Sequence, residues 1–486
     1  MKHSLFIICL PLLFSFNAEK KKTLNILLIT ADDLGLEAVG CYGGQPQGLT
    51  PNLDRFASEG IRFMHAHVNA AICMPSRIVL GTGLYGHNSG AMGFIEANDS
   101  ITPGIELFRN AGYKTGILGK VHHSTPNSRA VWDYRYDREE LGDGRSPEIY
   151  YQRCKTFFEQ CKNESRPFYF MVNSHDPHRP FQIPGELKDG AENPSRVYSE
   201  EEAAIPGYLP DLPDIRKELS YYQNSVRRLD DTFGKVLQAL EESGFKKNTL
   251  IIFLSDNGVS LPFAKCNTYL ASTHTPWIVN WPGVVKPNRI DDTHFISGID
   301  FMPTVLDAAG IKADIRMDGK SFVPLLKGKK QKGREMVFTQ IDRQAGGEAV
   351  PMRCVQDDKF GYIFTPWSDG KFRYSNNNEG MTMKAMEAAA ATDKAITDRV
   401  NVFRYRTLEE LYDLKNDPNC LVNLIDNPAF KAERDKMTRI LYQYMKETHD
   451  PLLICFENRY NEKQRRNELL RVYGIPSKKM RKSKDD

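Results

Sequence analysis

Residues 25–33 read NILLITADD, and residues 249–257 read TLIIFLSDN. In each stretch a short apolar run ends in two adjacent polar side chains, a pattern typical of buried strands in a parallel sheet. Ligands of such sheets bind at the carboxyl ends of the strands, so we expect the two polar pairs to meet at one point. The four residues are Asp32, Asp33, Asp256 and Asn257.

Three carboxylates and one amide oxygen at one point predict a cation site. Oxygen ligands favour Ca²⁺ or Mg²⁺ over zinc, because no histidine or cysteine belongs to this set. Either pair alone would also fit a helix cap or a turn, and residues 256–258, Asp-Asn-Gly, are especially turn-like.

Around these stretches, short apolar runs alternate with segments of helical periodicity. This pattern predicts an α/β fold with a mostly parallel sheet covered by helices. Two more buried strands are predicted at residues 167–173 and 276–280. One helix is predicted to begin at Pro51 with Thr50 as its N-cap, and a long amphipathic helix to end near Gly244.

The Lys/Gly-rich stretch 327–334 lacks apolar periodicity and is predicted to be a linker. It separates a domain of residues 19–330 from a smaller C-terminal α+β subdomain of residues 331–486. The subdomain is predicted to contain an antiparallel sheet, a helix in the Ala-rich segment 383–395 and a later helix over residues 428–447. Its strands are expected at residues 336–340, 352–356 and 359–364.

Residues 1–18 have the shape of a secretory signal peptide. Lys2 precedes an apolar run over residues 5–17, and charged residues follow Ala18. That run is too short to span a bilayer, and no later stretch reaches the roughly eighteen apolar residues that a membrane helix needs. We therefore expect an exported chain with no membrane span, in the periplasm, the lysosome or the exterior depending on the host.

Charge and cysteine content exclude two classes of protein. The 486 residues include 65 Lys and Arg against 62 Asp and Glu, and this near balance argues against a nucleic-acid partner. The basic cluster at residues 478–484 is expected to be a solvated tail. A chain of this length buries its own core and contains no CxxC pair, so it is not a disulfide scaffold.

Residues 73–83 read CMPSRIVLGTG. This stretch resembles the maturation signature of the type I sulfatases in the alkaline-phosphatase superfamily, which is Cys-x-Pro-Ser-Arg followed by Leu, Thr and Gly at these offsets. In that family a maturation enzyme oxidises the cysteine to formylglycine, so the resemblance implies the same modification at Cys73. Pro75 and Ser76 also favour a helix start, which would place residue 73 at the positive end of a helix dipole.

The resemblance extends along essentially the whole mature chain. It implies an alkaline-phosphatase-like fold, a sulfatase catalytic domain over residues 19–330 and hydrolysis of sulfuric esters or sulfamates. It also implies that the predicted cation, Ca²⁺ with Mg²⁺ as the alternative, is a cofactor beside the formylglycine. The implied metal ligands are Asp32, Asp33, Cys73, Asp256 and Asn257.

The same resemblance assigns five catalytic side chains besides Cys73. Lys120 and His122, in the run GKVH, match the family residues that contact the formylglycine hydroxyls and the sulfate. Arg77 matches the arginine that holds the formylglycine oxygen. His175 matches the histidine that faces the leaving group, and Lys265 matches a basic residue that grips a sulfate oxygen.

Four further segments resemble one branch of the family, the heparan N-sulfatases, and general sulfatase chemistry does not require those near the C-terminus. This likeness implies removal of the N-sulfate from terminal glucosamine in heparan or heparin fragments. Arg353 is then a candidate for binding a substrate carboxylate or sulfate, with a structural ion pair as the alternative. The segments are residues 175–179 (HDPHR), 351–356 (PMRCVQ), 410–413 with 417–418 (ELYD and DP), and 447–451 (ETHDP).

Three other functions remain open at this point. An O-sulfatase acting on another sulfated glycan would use the same machinery, because both leaving groups need only a proton donor and a shaped pocket. A phosphodiesterase or phosphonate hydrolase of the same superfamily is less well supported by the C-terminal segments. A sulfated-glycan binder without activity is disfavoured, since all the expected catalytic positions are filled. Oligomeric state and disulfide pairing are not predicted.

Overall fold

The computed structural model describes residues 23–188, 190–376 and 379–474. The predicted signal peptide, residues 1–18, and the basic tail, residues 478–484, lie outside these ranges. Within them, no helix is both long and apolar enough to cross a membrane. The described chain forms an eight-stranded sheet covered by helices and a separate four-stranded sheet.

The large sheet has the strand order β4-β3-β5-β1-β6-β7-β2-β8. Its pairs are parallel except those that β7 makes with β6 and β2. The four strands predicted in this part of the chain are confirmed. The strands are β1 (Asn25–Asp32), β2 (Ile61–His67), β3 (Lys114–Leu118), β4 (Tyr134–Tyr136), β5 (Phe168–Pro177), β6 (Thr249–Ser255), β7 (Trp277–Asn280) and β8 (Arg289–Ser297).

Strand β1 lies between β5 and β6 and is buried on both faces. Leu27 and Ile29 join one apolar cluster, whereas Ile26 and Leu28 join another on the opposite face. A strand buried on both faces needs a continuous apolar run, which explains why residues 25–31 show no polar alternation. The register of β1 with β6 pairs Ala31 with Ser255, so the polar ends of both strands lie side by side.

Fifteen α-helices accompany the two sheets in the described ranges. The predicted long helix is confirmed as α7, which Gly244 ends in the left-handed conformation. The helices are α1 (Pro51–Ser58), α2 (Cys73–Thr82), α3 (Gly86–Ser89), α4 (Gly104–Asn110), α5 (Val121–Ser124), α6 (Pro147–Glu164), α7 (Pro213–Ser243), α8 (Leu270–Thr273), α9 (Phe301–Ala309), α10 (Val323–Leu326), α11 (Gly380–Ala389), α12 (Lys394–Tyr405), α13 (Lys431–Glu447), α14 (Leu453–Glu457) and α15 (Glu462–Tyr473).

Helix α1 begins at Pro51 as predicted, but Thr50 does not cap it with its side chain. The Thr50 hydroxyl instead accepts a hydrogen bond from the Gly40 amide. The free amides of the first turn donate to Asp230 on α7, with N–O distances of 3.0 Å from Asn52 and 2.9 Å from Leu53. The cap therefore comes from a residue distant in sequence, and it fastens α1 to α7.

The second sheet is antiparallel, as predicted, with the order β12-β11-β10-β9. The single helix predicted over residues 383–395 is wrong, since α11 ends at Ala389 and Asp393 caps the separate helix α12. The strands are β9 (Val337–Arg343), β10 (Ala349–Gln356), β11 (Phe360–Phe364) and β12 (Glu409–Asp413).

Edge strand β9 fastens the second sheet to the segment that leads into α2. The Gln340 amide donates to the Asn69 carbonyl at 2.7 Å, and the Asn69 side chain donates to the Phe338 carbonyl at 2.8 Å. Because Asn69 lies four residues before Cys73, the C-terminal subdomain helps to place the start of α2.

Candidate active site

The polar ends of β1 and β6 meet as predicted, and their four side chains are fully buried. The Asp33 amide donates to Asp256 Oδ1 at 3.1 Å, and Asn257 Nδ2 donates to Asp33 Oδ1 at 2.7 Å. Asp33 has a φ of +71°, so the chain turns sharply directly after β1. That turn lets two consecutive carboxylates face the same site.

Cys73 is the first residue of α2 and is 3% exposed. Its Sγ lies 3.2 Å from Lys265 Nζ and 3.8 Å from Asp33 Oδ1. Burial, reinforced by Asp32, raises the pKa of the Cys73 thiol well above its usual value. The helix start predicted from Pro75 and Ser76 is confirmed, and it brings residue 73 to the carboxylates with the helix dipole behind it.

Each of the three carboxylates has a cation in close contact, and Arg77 Nη2 also lies 4.0 Å from Asp32 Oδ1. Lys120 contacts Asp32, Lys265 Nζ lies 2.5 Å from Asp33 Oδ1, and Arg77 Nε donates to Asp256 Oδ2 at 2.8 Å. Burial acts to raise the pKa of Asp32, but Lys120 and the other cations bring it well below its usual value. The described site therefore balances three negative charges with three positive charges in a buried setting.

Several oxygen atoms of this site are buried and accept no hydrogen bond. They are Asp32 Oδ1, Asp33 Oδ2 and Asn257 Oδ1. Buried acceptors are normally satisfied, and hard oxygen donors of this kind fit a divalent cation such as Ca²⁺ or Mg²⁺. Three residues of the predicted ligand set, Asp32, Asp33 and Asn257, therefore offer oxygens that fit the predicted cation, whereas both oxygens of Asp256 accept hydrogen bonds.

Arg77 is held from two sides, and one of its partners was not predicted. Its Nη1 donates to Asn173 Oδ1 at 2.7 Å and to Thr30 Oγ1 at 3.0 Å. Asn173 also donates through Nδ2 to the Gly119 carbonyl at 2.9 Å, directly before Lys120. Asn173 is the last residue of the strand predicted at 167–173. A polar residue at the end of an apolar run, the pattern that identified Asp32, was therefore present here too.

Two histidines lie at the end of β5, His175 within the strand and His178 directly after it. The structure brings His178 closer to the carboxylates than His175. His178 Nε2 lies 3.9 Å from Asp33 Oδ2 and belongs to a group of potential metal-ligating side chains with Asp32, Asp33 and Cys73. His175 is 7% exposed, and its Nδ1 has no hydrogen-bond partner. The sequence reasoning gave a role to His175 and none to His178.

A family model described as Sulfatase matches residues 24–311, which is more than half of the chain. The chain belongs to the sulfatase family. A second model, described as N-sulphoglucosamine sulphohydrolase, C-terminal, matches residues 261–367. The resemblance drawn from residues 73–83 is thereby confirmed, and with it the sulfatase class of hydrolase.

Relatives of this sulfatase act on sulfated sugars. Human N-sulphoglucosamine sulphohydrolase is 28% identical over 94% of this chain and 96% of its own. An ulvan-active sulfatase of Formosa agariphila is 29% identical over 88% of this chain and 81% of its own. The solved structure of BT4656 in complex with its substrate D-glucosamine-2-N,6-O-disulfate covers 88% of this chain and 99% of that chain at 19% identity, with a TM-score of 0.66. The last likeness confirms the fold.

The prediction that Arg353 binds substrate is wrong for this sulfatase, and its alternative, a structural ion pair, is correct. Arg353 is 0% exposed, so a substrate does not reach it. Its guanidinium donates to Asp450 Oδ2 at 2.5 Å and to Asp342 Oδ1 at 2.8 Å. The residue therefore links β10 and β9 to the segment between α13 and α14.

His122 is exposed, while the next residue, His123, is half-buried beside the sulfatase site. Burial, together with the charges of Lys120 and Arg77, lowers the pKa of His123 to about 3. His123 Nδ1 is buried without a hydrogen-bond partner. Lys120, Arg77 and Lys265 are brought together as predicted, whereas a contact of His122 with the reacting group stays a prediction.

A buried carboxylate holds the end of β5, where the two histidines lie. Asp176 accepts hydrogen bonds from Arg228 Nε at 2.7 Å and from Nη2 at 3.0 Å, and Arg145 Nε lies 3.3 Å from it. Burial lowers the pKa of His175 well below its usual value, and burial also lowers that of His178 although Asp33 opposes the shift. Both imidazoles are therefore disposed to be neutral.

Proposed function

We propose that this sulfatase removes the N-sulfate from a terminal glucosamine in heparan- or heparin-type fragments. The observation that carries this choice of substrate is the match of residues 261–367 with the model for the C-terminal part of N-sulphoglucosamine sulphohydrolases. That segment contains Lys265, in contact with Cys73, and strand β9, which holds Asn69. The matched segment therefore borders the reaction centre.

The charges of the site support a reaction on an anion. Lys120, Lys265 and Arg77 offset the carboxylates, so a bound divalent cation would leave the site positive by two charges. A sulfamate or sulfate ester group neutralises part of that excess. We assign the sulfonate oxygens to Lys120 and Lys265, because a flexible ammonium can turn from its carboxylate towards an anion without moving the backbone.

Arg77 has a different task, because its contacts fix it. Bonds to Asp256, Asn173 and Thr30 hold its guanidinium in one orientation under residue 73. We propose that it positions the reacting oxygen of residue 73, with the N-terminal dipole of α2 adding positive potential at the same point.

The departing nitrogen needs a proton, and we assign its delivery to His178. Burial favours the neutral ring, so we propose that His178 takes up this proton when the anionic substrate binds, with Asp33 and the bound anion together offsetting the burial. His178 lies nearer to Asp33 than His175 does, and it belongs to the same cluster as Cys73. His175 then supports the end of β5 from a buried position. Retained activity in a His178→Gln variant, with loss in a His175→Gln variant, would reverse this assignment.

Two groups absent from the polypeptide complete the proposal. We propose that a formylglycine-generating maturation enzyme converts Cys73, and that Asp32, Asp33, residue 73, Asp256 and Asn257 hold Ca²⁺, with Mg²⁺ as the alternative. When present, the formylglycine hydrate supplies an oxygen nucleophile and the cation supplies positive charge. The residues of this chain orient those groups, exclude water and neutralise the sulfonate.

A second candidate keeps the same machinery and removes an O-sulfate from another glycan. The observation that favours it is the ulvan-active sulfatase, whose 29% identity matches that of the human relative. For either substrate we propose export through the signal peptide at residues 1–18, to the periplasm, the lysosome or the exterior.

Sulfate release from glucosamine N-sulfate beside glucosamine 6-O-sulfate tests the proposal. The protein is used after peptide mass has confirmed formylglycine at position 73. Release from the N-sulfate alone is expected. Release from the O-sulfate alone would overturn the proposed substrate but would leave the proposed catalytic residues unchanged. A Lys265→Met variant should lose activity, while Lys394→Met, on the exposed face of α12, serves as the matched control.

A further inference from the structure

A second cavity of about 360 Å³ lies between the large sheet's domain and the C-terminal subdomain. Its walls are residues 36–45 after β1, residues 204–208, the middle of α7 and α8, and Pro418 with Asn419 closes one side. This volume is within the range of small-ligand sites, which often form between domains.

The cavity is joined to the reaction centre by the backbone that follows β1. Tyr222, in the cavity wall, accepts a hydrogen bond of 3.0 Å from the Gly35 amide through its hydroxyl oxygen. Gly35 lies two residues after Asp33 and two before Glu37, which faces the cavity. The same short segment therefore supplies a carboxylate to each of the two sites.

The cavity wall contains one acceptor without a donor, and one carboxylate that pairs with no cation among the described residues. Gln223 is 2% exposed, and its Oε1 is buried without a hydrogen-bond partner. Glu37 is half-buried and accepts a hydrogen bond of 3.2 Å from the Tyr208 hydroxyl. Burial raises the pKa of Glu37, because no cation compensates its carboxylate. Buried acceptors in this state favour a ligand that brings hydrogen-bond donors.

This cavity lacks the lysine and arginine side chains that characterise the active site. None of the described residues that line it is Lys or Arg, whereas Arg77, Lys120 and Lys265 surround Cys73. A sulfated or carboxylated sugar would meet Glu37 with no compensating cation. Gln45, His274 and Asn419 are further polar side chains of the wall. Much of the remainder is aromatic or aliphatic, with three tyrosines suited to packing against the apolar faces of a sugar ring: Tyr42, Tyr208 and Tyr222.

We propose that this cavity binds an amino sugar through its free ammonium group, with Glu37 and Gln223 as the acceptors and the tyrosines as the walls. The identity of that sugar as the glucosamine released by the enzyme rests on the proposed function. In a sulfamate the same nitrogen is uncharged and bears an anionic sulfonate group, so the cavity discriminates the desulfated product from the substrate.

The test is calorimetric binding of glucosamine to the full chain, compared with N-acetylglucosamine, glucose and glucosamine N-sulfate. Glucosamine is expected to bind more tightly than each of the other three by about tenfold, the worth of one charged hydrogen bond. Glu37→Gln should remove the preference for the ammonium group. Gln223→Leu should weaken the binding of glucosamine by a similar factor. Glu241→Gln, on the exposed end of α7, is the matched control.

Three results overturn the proposal: no saturable binding of glucosamine, equal binding of glucosamine and N-acetylglucosamine, or binding unchanged in both cavity variants. Thermal melting confirms that each variant is folded. If Gln223→Leu does not fold, Glu37→Gln still tests the cavity, because Glu37 is only half-buried. Lys265→Met should lose sulfate release but keep glucosamine binding. If the enzyme binds glucosamine but does not hydrolyse the N-sulfate, the cavity remains an amino-sugar site. Only the identification of that sugar as the reaction product is then overturned.

Discussion

Asn173 Oδ1 accepts a 2.7 Å hydrogen bond from Arg77 Nη1, and both side chains are buried beneath Cys73. The same oxygen accepts from Thr30, while Nδ2 donates to the carbonyls of Leu118 and Gly119. One amide thus joins the arginine of α2 to the strand that ends before Lys120. This arrangement makes Asn173 a positioning residue for two charged groups of the sulfatase site.

Asn173→Ala should lower kcat by roughly tenfold to a hundredfold, because Arg77 loses one of the bonds that orient it towards residue 73. KM should change little, since Asn173 makes no contact with substrate in the proposed arrangement. Steady-state sulfate release measures both constants. Asn401→Ala, at an exposed position of α12, is the control. A raised KM with an unchanged kcat would contradict the positioning role.

Ca²⁺ should stabilise this sulfatase against heat, because it would coordinate buried oxygens that accept no hydrogen bond. These oxygens are Asp32 Oδ1, Asp33 Oδ2 and Asn257 Oδ1. Saturation at a hundred times the dissociation constant corresponds to about 2.7 kcal/mol of stabilisation. We expect chelation to lower the melting temperature and Ca²⁺ to restore it, as followed by differential scanning fluorimetry.

Asn257→Ala should abolish that response to Ca²⁺, and Asp398→Asn, in an exposed ion pair of α12, should retain it. Equal responses in the two variants would show that the cation binds elsewhere. Replacing Ca²⁺ with Mg²⁺ in the same measurement distinguishes the two metals, because Ca²⁺ tolerates irregular oxygen sets that Mg²⁺ does not.

Arg353→Met should destabilise the protein by about 3–5 kcal/mol, because it leaves Asp342 and Asp450 buried without their cation. Urea unfolding measures the loss. The KM of the folded fraction should stay at the wild-type value, since Arg353 is inaccessible to substrate. An increase in KM without loss of stability would restore the substrate-binding role that the sequence suggested for this residue.

Most of what positions this site could be predicted from local sequence, and the parts that could not depend on contacts between distant residues. The meeting of the polar ends of β1 and β6 was predictable because two apolar runs end in the same way, and the carboxyl ends of parallel strands lie at one edge of a sheet. The N-cap of α1 was not, because Asp230 reaches it from α7. The proximity of His178 to Asp33 also depends on tertiary structure, since His175 lies only three residues earlier in the sequence.

Acid should weaken the fold through His274, whose ring stacks on His67 with a centroid separation of 5.0 Å. Burial lowers the pKa of His274 from 6.5 to about 4, and burial with the neighbouring His274 lowers that of His67 well below its usual value. Between pH 6.5 and 4 the unfolded chain therefore binds more protons than the folded one. The free energy of unfolding should fall as the pH decreases through that window, and these groups should have no effect above it.

His274→Gln removes one titrating ring while keeping a side-chain amide that can donate to the Met64 carbonyl, the partner of Nε2 at 2.8 Å. The fall in melting temperature between pH 7 and pH 5 should be smaller in this variant than in the wild type, by roughly 2 °C or more. Melting curves of both proteins across the pH range measure the difference. A variant with the same acid sensitivity as the wild type would show that the stacked pair does not control stability in this window.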